Sequence, residues 1–198
     1  MSPARTPRVL ASASASVNAR SITCAWRAGS ARLRVARSIY KILRASRVKC
    51  YLKTSGATGF HIFVPLEPQY SYEQVRTFAQ IIGQLVSAEL PNDTTMERSV
   101  SKRPKGRVLL DALQNARGKP LASVYSVRAH PGATVSTPLT PEELEHGINP
   151  DKWTIKTLGT RLEDVGDLWK DFWKNRQTLD AALEALGREL QTEKPRRR

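Results

Sequence analysis

The chain has 198 residues, enough for one domain with a buried core and terminal extensions. Its 32 Lys and Arg against 18 Asp and Glu give a net charge of +14, which points to nucleic acid or another anionic surface as partner. Two cysteines exclude a disulfide framework, and no apolar run approaches the roughly 18 residues of a membrane span. No signal-peptide core appears, so a reducing cytoplasm is the expected compartment.

Taken in order, the chain opens with an Ala-, Ser- and Arg-rich stretch, residues 1–37, that shows no sustained periodicity. Residues 1–50 carry eleven Lys and Arg and no acid, so eleven of the fourteen net charges lie there and +3 remains on residues 51–198. Three readings stay open for residues 1–37: a disordered basic arm, a transit peptide, or a shifted reading frame ahead of a domain that starts near Ser38. Residues 38–48 place Ile39, Ile42, Leu43 and Val48 on one face of a short helix.

Residues 51–66, YLKTSGATGFHIFVPL, read as strand, Gly-punctuated turn, strand. The turn brings Lys53, Ser55 and His61 together around Gly56 and Gly59. It is either an ordinary hairpin or an anion nest suited to a nucleotide phosphate. Ser71 with Gln74 forms a capping box for a helix to about Leu90, with Val75, Phe78, Ala79, Ile82, Leu85 and Val86 on its buried face.

A basic loop at 99–107 holds Lys102, Arg103, Lys105 and Arg107, a candidate nucleic-acid contact, and leads into the apolar run 108–110 and then Asp111. A carboxylate at a strand end either caps a turn or serves as a metal ligand. Gln114 opens a polar turn. Residues 121–127 read as a second strand ending at Arg128; 130–132 and 138–141 read as loops, and Thr140 with Pro141 starts a short helix. Residues 151–157 read as extended and 161–172 and 178–190 as amphipathic helices, with Trp153, Trp169, Phe172 and Trp173 in the core. Residues 191–198 are a basic tail. Strands alternating with helices over 38–190 imply an α+β domain with a mixed or antiparallel sheet and flanking helices.

With these segments in place, residues 38–190 resemble the polymerase/primase domain of bacterial DNA ligase D, a member of the archaeo-eukaryotic primase superfamily active in non-homologous end joining. KTSGATGFH at 53–61 resembles its Ser-Gly-x-x-Gly-x-His motif, and LDALQN at 110–115 its third motif. ASVYSVRAHPGATVSTPL at 122–139 and residues 151–169 resemble the segments that follow.

The resemblance implies the C-terminal part of a primase-polymerase catalytic domain, with DNA ends and NTP as partners and Ku and a ligase domain as associates. It implies that Asp111 and His61 are catalytic and that Asp111 is one of three carboxylates holding Mg²⁺ or Mn²⁺. Lys53, Ser55, Gly56, His61, Gln114 and Arg128 would then line the nucleotide site.

Two departures count against activity. A second family Arg is His130 here, and the family's Asp-x-Asp motif, due some forty residues before the hairpin, has no counterpart. The first acid of the chain is Glu67 and the first Asp is Asp93. The expectation is a nucleotidyltransferase relative that is inactive alone; the alternative is a non-catalytic nucleic-acid or partner-binding module that uses the basic arm and loop.

Overall fold

The structure, a computed structural model, describes residues 19–25 and 31–192. The rest of the expected basic arm and the end of the tail lie outside the described residues. Among the described residues six strands form one sheet: β1 (Ala19–Ala25), β2 (Tyr51–Thr54), β3 (Phe60–Pro65), β4 (Thr94–Thr95), β5 (Val108–Asp111) and β6 (Pro138–Leu139). Their order is β4-β5-β1-β3-β2-β6. Among these six strands β4 and β5 pair in parallel and the other pairs are antiparallel.

The pleat sorts the side chains. Leu52, Ile62 and Leu110 share one face with Phe60 and Val64, and there they meet α1 (Ala31–Ala45) and α2 (Tyr72–Glu89) in the core. From α1 come Val35, Ile39 and Leu43, and from α2 Val75, Phe78, Ile82 and Val86, all buried at helical spacing. Tyr51, Lys53, His61, Phe63 and Asp111 alternate with these and belong to the opposite face. The loops and short helices after β5 cover that face in part: Trp169 lies edge-on to Tyr51 at 5.3 Å and to Phe63 at 5.5 Å. A mixed sheet with helices makes the chain α+β, as its sequence implied.

Local signals were reliable. The Ser71–Gln74 capping box is present in full, as is a second one formed by Thr140 and Glu143 at the start of α3 (Pro141–His146). Elsewhere the structure corrects the reading. Helix α1 starts at Ala31, seven residues before Ser38, and residues 19–25 form a central strand. Residues 121–127 are not a strand: Tyr125 sits at φ 61°, and the only ladder contact there is a single bridge from Val127 to Val135. The edge of β2 is taken instead by Pro138–Leu139, where a proline is tolerated because an edge strand needs no donor on its outer side.

Residues 150–157 hold a 3-10 turn at Pro150–Lys152 and a bridge at Thr154, not an extended run. Helix α4 spans Leu158–Val165 and stops at Gly166, whose φ of 69° favours glycine, so Trp169 and Phe172 sit in turns. Helix α5 spans Asp180–Thr192. Of the four C-terminal aromatics, Trp153 and Phe172 are buried, whereas Trp173 is 48 % exposed.

Candidate nucleotide site

One cross-strand row organises the site. Asp111 on β5 pairs with Thr23 on β1, Thr23 with His61 on β3, and His61 with Lys53 on β2. Residues in register share a face. The row therefore sets the third motif beside the Gly-rich motif through a strand that neither motif contains. A cleft of about 470 Å³ opens on this row, lined by Ser55, His61, Asp111, Gln114 and Arg128 with the Gly59 turn. Five of the residues singled out in the sequence thus converge on one opening.

Lys53 is fully buried and stands behind the cleft, not in its wall. Its Nζ donates to Ser136 Oγ, which in turn donates to the Thr54 carbonyl at 2.8 Å. Nζ also lies 3.0 Å from His61 Nδ1. In its ammonium form Lys53 can only donate, so Nδ1 then accepts and the imidazole proton sits on Nε2. Burial, then the nearby Arg128 charge, pulls the Lys53 pKa down to about 7. Burial, then Lys53 and Arg128, pulls His61 down to about 3. His61 is therefore a neutral N–H donor at neutral pH.

Three amides of the turn are engaged within it: Gly59 and Ala57 N–H donate to Ser55 Oγ at 2.8 and 3.2 Å, and Ser55 N–H donates to the Gly59 carbonyl at 2.8 Å. The side-chain groups here able to hold an anion are the Ser55 hydroxyl, the His61 ring N–H and the Arg128 guanidinium. Gly56, at φ 69°, lets the chain behind it close up. A Cβ there would stand 2.6 Å from Arg128 Cγ and 2.6 Å from Ser136 N. Arg128 is fixed to this loop by its backbone, whose N–H donates to the Thr134 carbonyl at 2.8 Å.

At the other end of the row, Asp111 Oδ1 accepts from Leu113 N–H at 3.1 Å and lies 3.6 Å from Arg98 Nε. Gln114 Nε2 donates to the Pro120 carbonyl at 2.9 Å, bracing the cleft wall. His130 does not line the cleft; its Nδ1 lies 3.2 Å from the Pro131 carbonyl. The basic loop stands apart as well. Arg103 donates to the Glu97 and Arg98 carbonyls and so holds the loop's shape, whereas Lys102 and Lys105 are exposed. Sequence reasoning missed the register position of Thr23 and the contacts of Arg98 and Ser136, which join segments far apart in the chain and leave no local pattern.

A family model of the LigD primase-polymerase domain matches residues 28–169. The chain belongs to the LigD primase-polymerase domain family. It is similar to the multifunctional non-homologous end joining protein LigD of Pseudomonas aeruginosa, with 35% identity over 144 residues, 71% of this chain and 17% of that protein. It is also similar to the bifunctional LigD of Bacillus subtilis, with 31% identity over 159 residues, 80% of this chain and 26% of that protein. The LigD-type domain thus spans about a sixth to a quarter of these relatives' length. The polymerase domain of Mycobacterium tuberculosis ligase D, solved in complex with DNA, shares the fold: TM-score 0.70, 24% identity, 81% of this chain and 56% of that one. Among the described residues no helix is long and apolar enough to cross a membrane.

Proposed function

We propose that the cleft binds the triphosphate of an NTP and that the chain serves bacterial non-homologous end joining as a nucleotide-binding domain without polymerase chemistry of its own. The observation that carries this is the convergence of Ser55, His61, Gln114 and Arg128 on one cleft, with Lys53 buried behind it. Arg128 supplies a permanent, fork-shaped cation for phosphate oxygens, and Ser55 and His61 supply neutral donors. Lys53 fixes which imidazole nitrogen carries the proton.

The donor set does not fit a protein-held pair of Mg²⁺ or Mn²⁺ ions. Such ions take hard oxygen ligands, several of them carboxylates. Asp111 is the one carboxylate in the row. Thr23 holds the register position beside it, and the sequence carries no acid before Glu67. Among the described residues no group of three or more His, Cys, Asp or Glu could hold a metal ion. Two cations stand near His61, which further disfavours a divalent ion there.

The test is calorimetric titration with NTP alongside primer extension on gapped DNA with Mn²⁺. Arg128→Ala is expected to weaken NTP binding by about tenfold or more, the loss of a charged hydrogen bond, with His61→Ala weakening it less. No extension is expected from folded protein. Extension abolished by Asp111→Ala would overturn the inactivity, because further carboxylates would have to complete the centre. NTP affinity unchanged in both variants would remove the cleft as the site.

A second reading, contact with nucleic acid, is favoured by the exposure of Lys102 and Lys105 on the loop before β5. Charge reversal of both should weaken DNA binding and flatten its salt dependence.

A further inference from the structure

A pocket of about 470 Å³ lies at the C-terminal end of α1 and shares no lining residue with the nucleotide cleft. It is lined by three exposed cations, Arg44, Arg47 and Lys49. Other arginines of α1 meet acids: Arg34 pairs with Asp93 at 2.8 Å, and Arg37 lies 4.0 Å from Glu145. Among the described residues no carboxylate stands within ion-pair distance of Arg44, Arg47 or Lys49, and no acid lines the pocket. Cys50 supplies no negative charge either. Burial, against the pull of Arg44, pushes its thiol up to about 12, so it stays neutral. Three cations around one concavity repel one another and focus a positive field into it.

The fold holds these cations in place. Helix α1 ends in a Schellman motif: the Val48 N–H donates to the Leu43 carbonyl at 2.8 Å and the Arg47 N–H to the Arg44 carbonyl at 2.9 Å. The motif sets Arg47 at φ 59°, in the left-handed region where glycine is the usual residue. An arginine stands there instead, at a cost in backbone strain, and its side chain lines the pocket. Lys49 is anchored by a segment more than a hundred residues away. Gln177 accepts from the Lys49 N–H at 2.9 Å and donates to the Lys49 carbonyl at 2.7 Å. Asn175 accepts from Lys49 Nζ at 3.1 Å and donates to the Tyr51 hydroxyl at 2.7 Å. Arg44 donates to the Tyr40 hydroxyl at 3.3 Å. These neutral partners orient Lys49 and Arg44 without cancelling their charge.

We infer that the Arg44–Arg47–Lys49 pocket binds a compact polyanion bearing two phosphate groups, independently of the nucleotide cleft. Two phosphate groups carry about three negative charges at neutral pH, which matches the three cations. Each guanidinium presents a planar fork for two phosphate oxygens, and the Lys49 ammonium adds a point charge. The arrangement favours a small ligand over a nucleic-acid strand. A strand spreads its charges along a line and calls for a track of cations, whereas these three surround one pocket of small-molecule size.

The experiment titrates the full chain carrying Arg128→Ala, which removes the cleft's own cation, with inorganic pyrophosphate, citrate and a short duplex DNA in a calorimeter. Pyrophosphate is expected to bind this protein, with an affinity that falls as salt is added. Adding Arg47→Gly should weaken that binding by about tenfold or more, the loss of one charged hydrogen bond, and Lys49→Gln should do the same. Glycine suits the left-handed backbone, so Arg47→Gly should leave the Tm unchanged or raise it, which separates lost binding from lost folding. No pyrophosphate binding by the Arg128→Ala protein, or an affinity unchanged when Arg47→Gly and Lys49→Gln are combined in it, would overturn the site. Citrate held as tightly as pyrophosphate would overturn the assignment to phosphate. A loss seen with duplex DNA and not with pyrophosphate would overturn the small-ligand reading in favour of a nucleic-acid contact.

Discussion

Lys53 stands in an environment at odds with its chemistry, because a fully buried amine faces an imidazole, a hydroxyl and a nearby guanidinium. Its pKa falls from 10.5 to about 7 on folding. The unfolded chain therefore holds the extra proton between those values, and stability rises with pH across that window, by up to about 1.4 kcal/mol per pH unit. Lys53→Met removes this dependence. Its stability relative to the parent should be highest below pH 7 and decline toward pH 10, as read by urea unfolding at a series of pH values. A constant difference would mean that Lys53 keeps its ordinary pKa in the folded state. Gly56→Ala adds a left-handed backbone penalty to a Cβ pressed against Arg128 and Ser136. A loss of about 2–5 kcal/mol is expected, seen as a Tm lower by roughly 5–15 °C; an unchanged Tm would show that the 128–136 loop yields freely.

Among the elements, α4 is held by Arg161. This guanidinium is almost buried and grips both Glu143 oxygens on α3 at 2.6 Å each. It also donates to the Pro138 carbonyl of β6 at 2.8 Å and lies over the Trp153 ring at 4.4 Å. Burial pushes the Glu143 carboxyl up, but Arg161 and the Thr140 backbone N–H outweigh it, leaving it below the ordinary carboxylate range. The stability from this group is therefore present above the unfolded pKa and lost as pH falls through the folded one. Arg161→Met should cost about 3 kcal/mol at pH 7 because it strands a half-buried carboxylate. Arg161→Lys should recover little of it, since an ammonium cannot grip both oxygens. Denaturant midpoints test both substitutions, and a full recovery by Lys would show that charge alone holds α4.

For the molecule as a whole, β1 decides whether there is one sheet or two fragments. It pairs with β3 over six residues from Ala19 to Cys24 and with β5 from Thr23 to Ala25. Without it both neighbours would present bare edges, which invite association. Ile22→Pro removes a donor in the middle of a central strand, a change of about 3 kcal/mol or more. Loss of the cooperative unfolding transition, with aggregation at lower temperature, is the expected result. A normal melt would show that residues 19–25 do not hold the sheet together.

The hairpin, α2 and the start of α3 were legible in the sequence because their signals are local. A β-rich run broken by Gly56 and Gly59, a Ser71–Gln74 box and a Thr140–Pro141 start each act within a few residues. The site residues Ser55, His61, Asp111, Gln114 and Arg128 could be named because they stand in short segments that resemble the family's motifs. What the tertiary structure alone decided is their meeting in one cleft, since a row through Lys53, His61, Thr23 and Asp111 depends on strand pairings between distant segments. It also decided that ARSITCA at 19–25 is a strand, which two neighbours make of it, and that LASVYSV at 121–127 is not, because the edge it would have used is filled by Pro138–Leu139. Periodicity records which face a residue prefers; the available partners determine whether that preference becomes a strand.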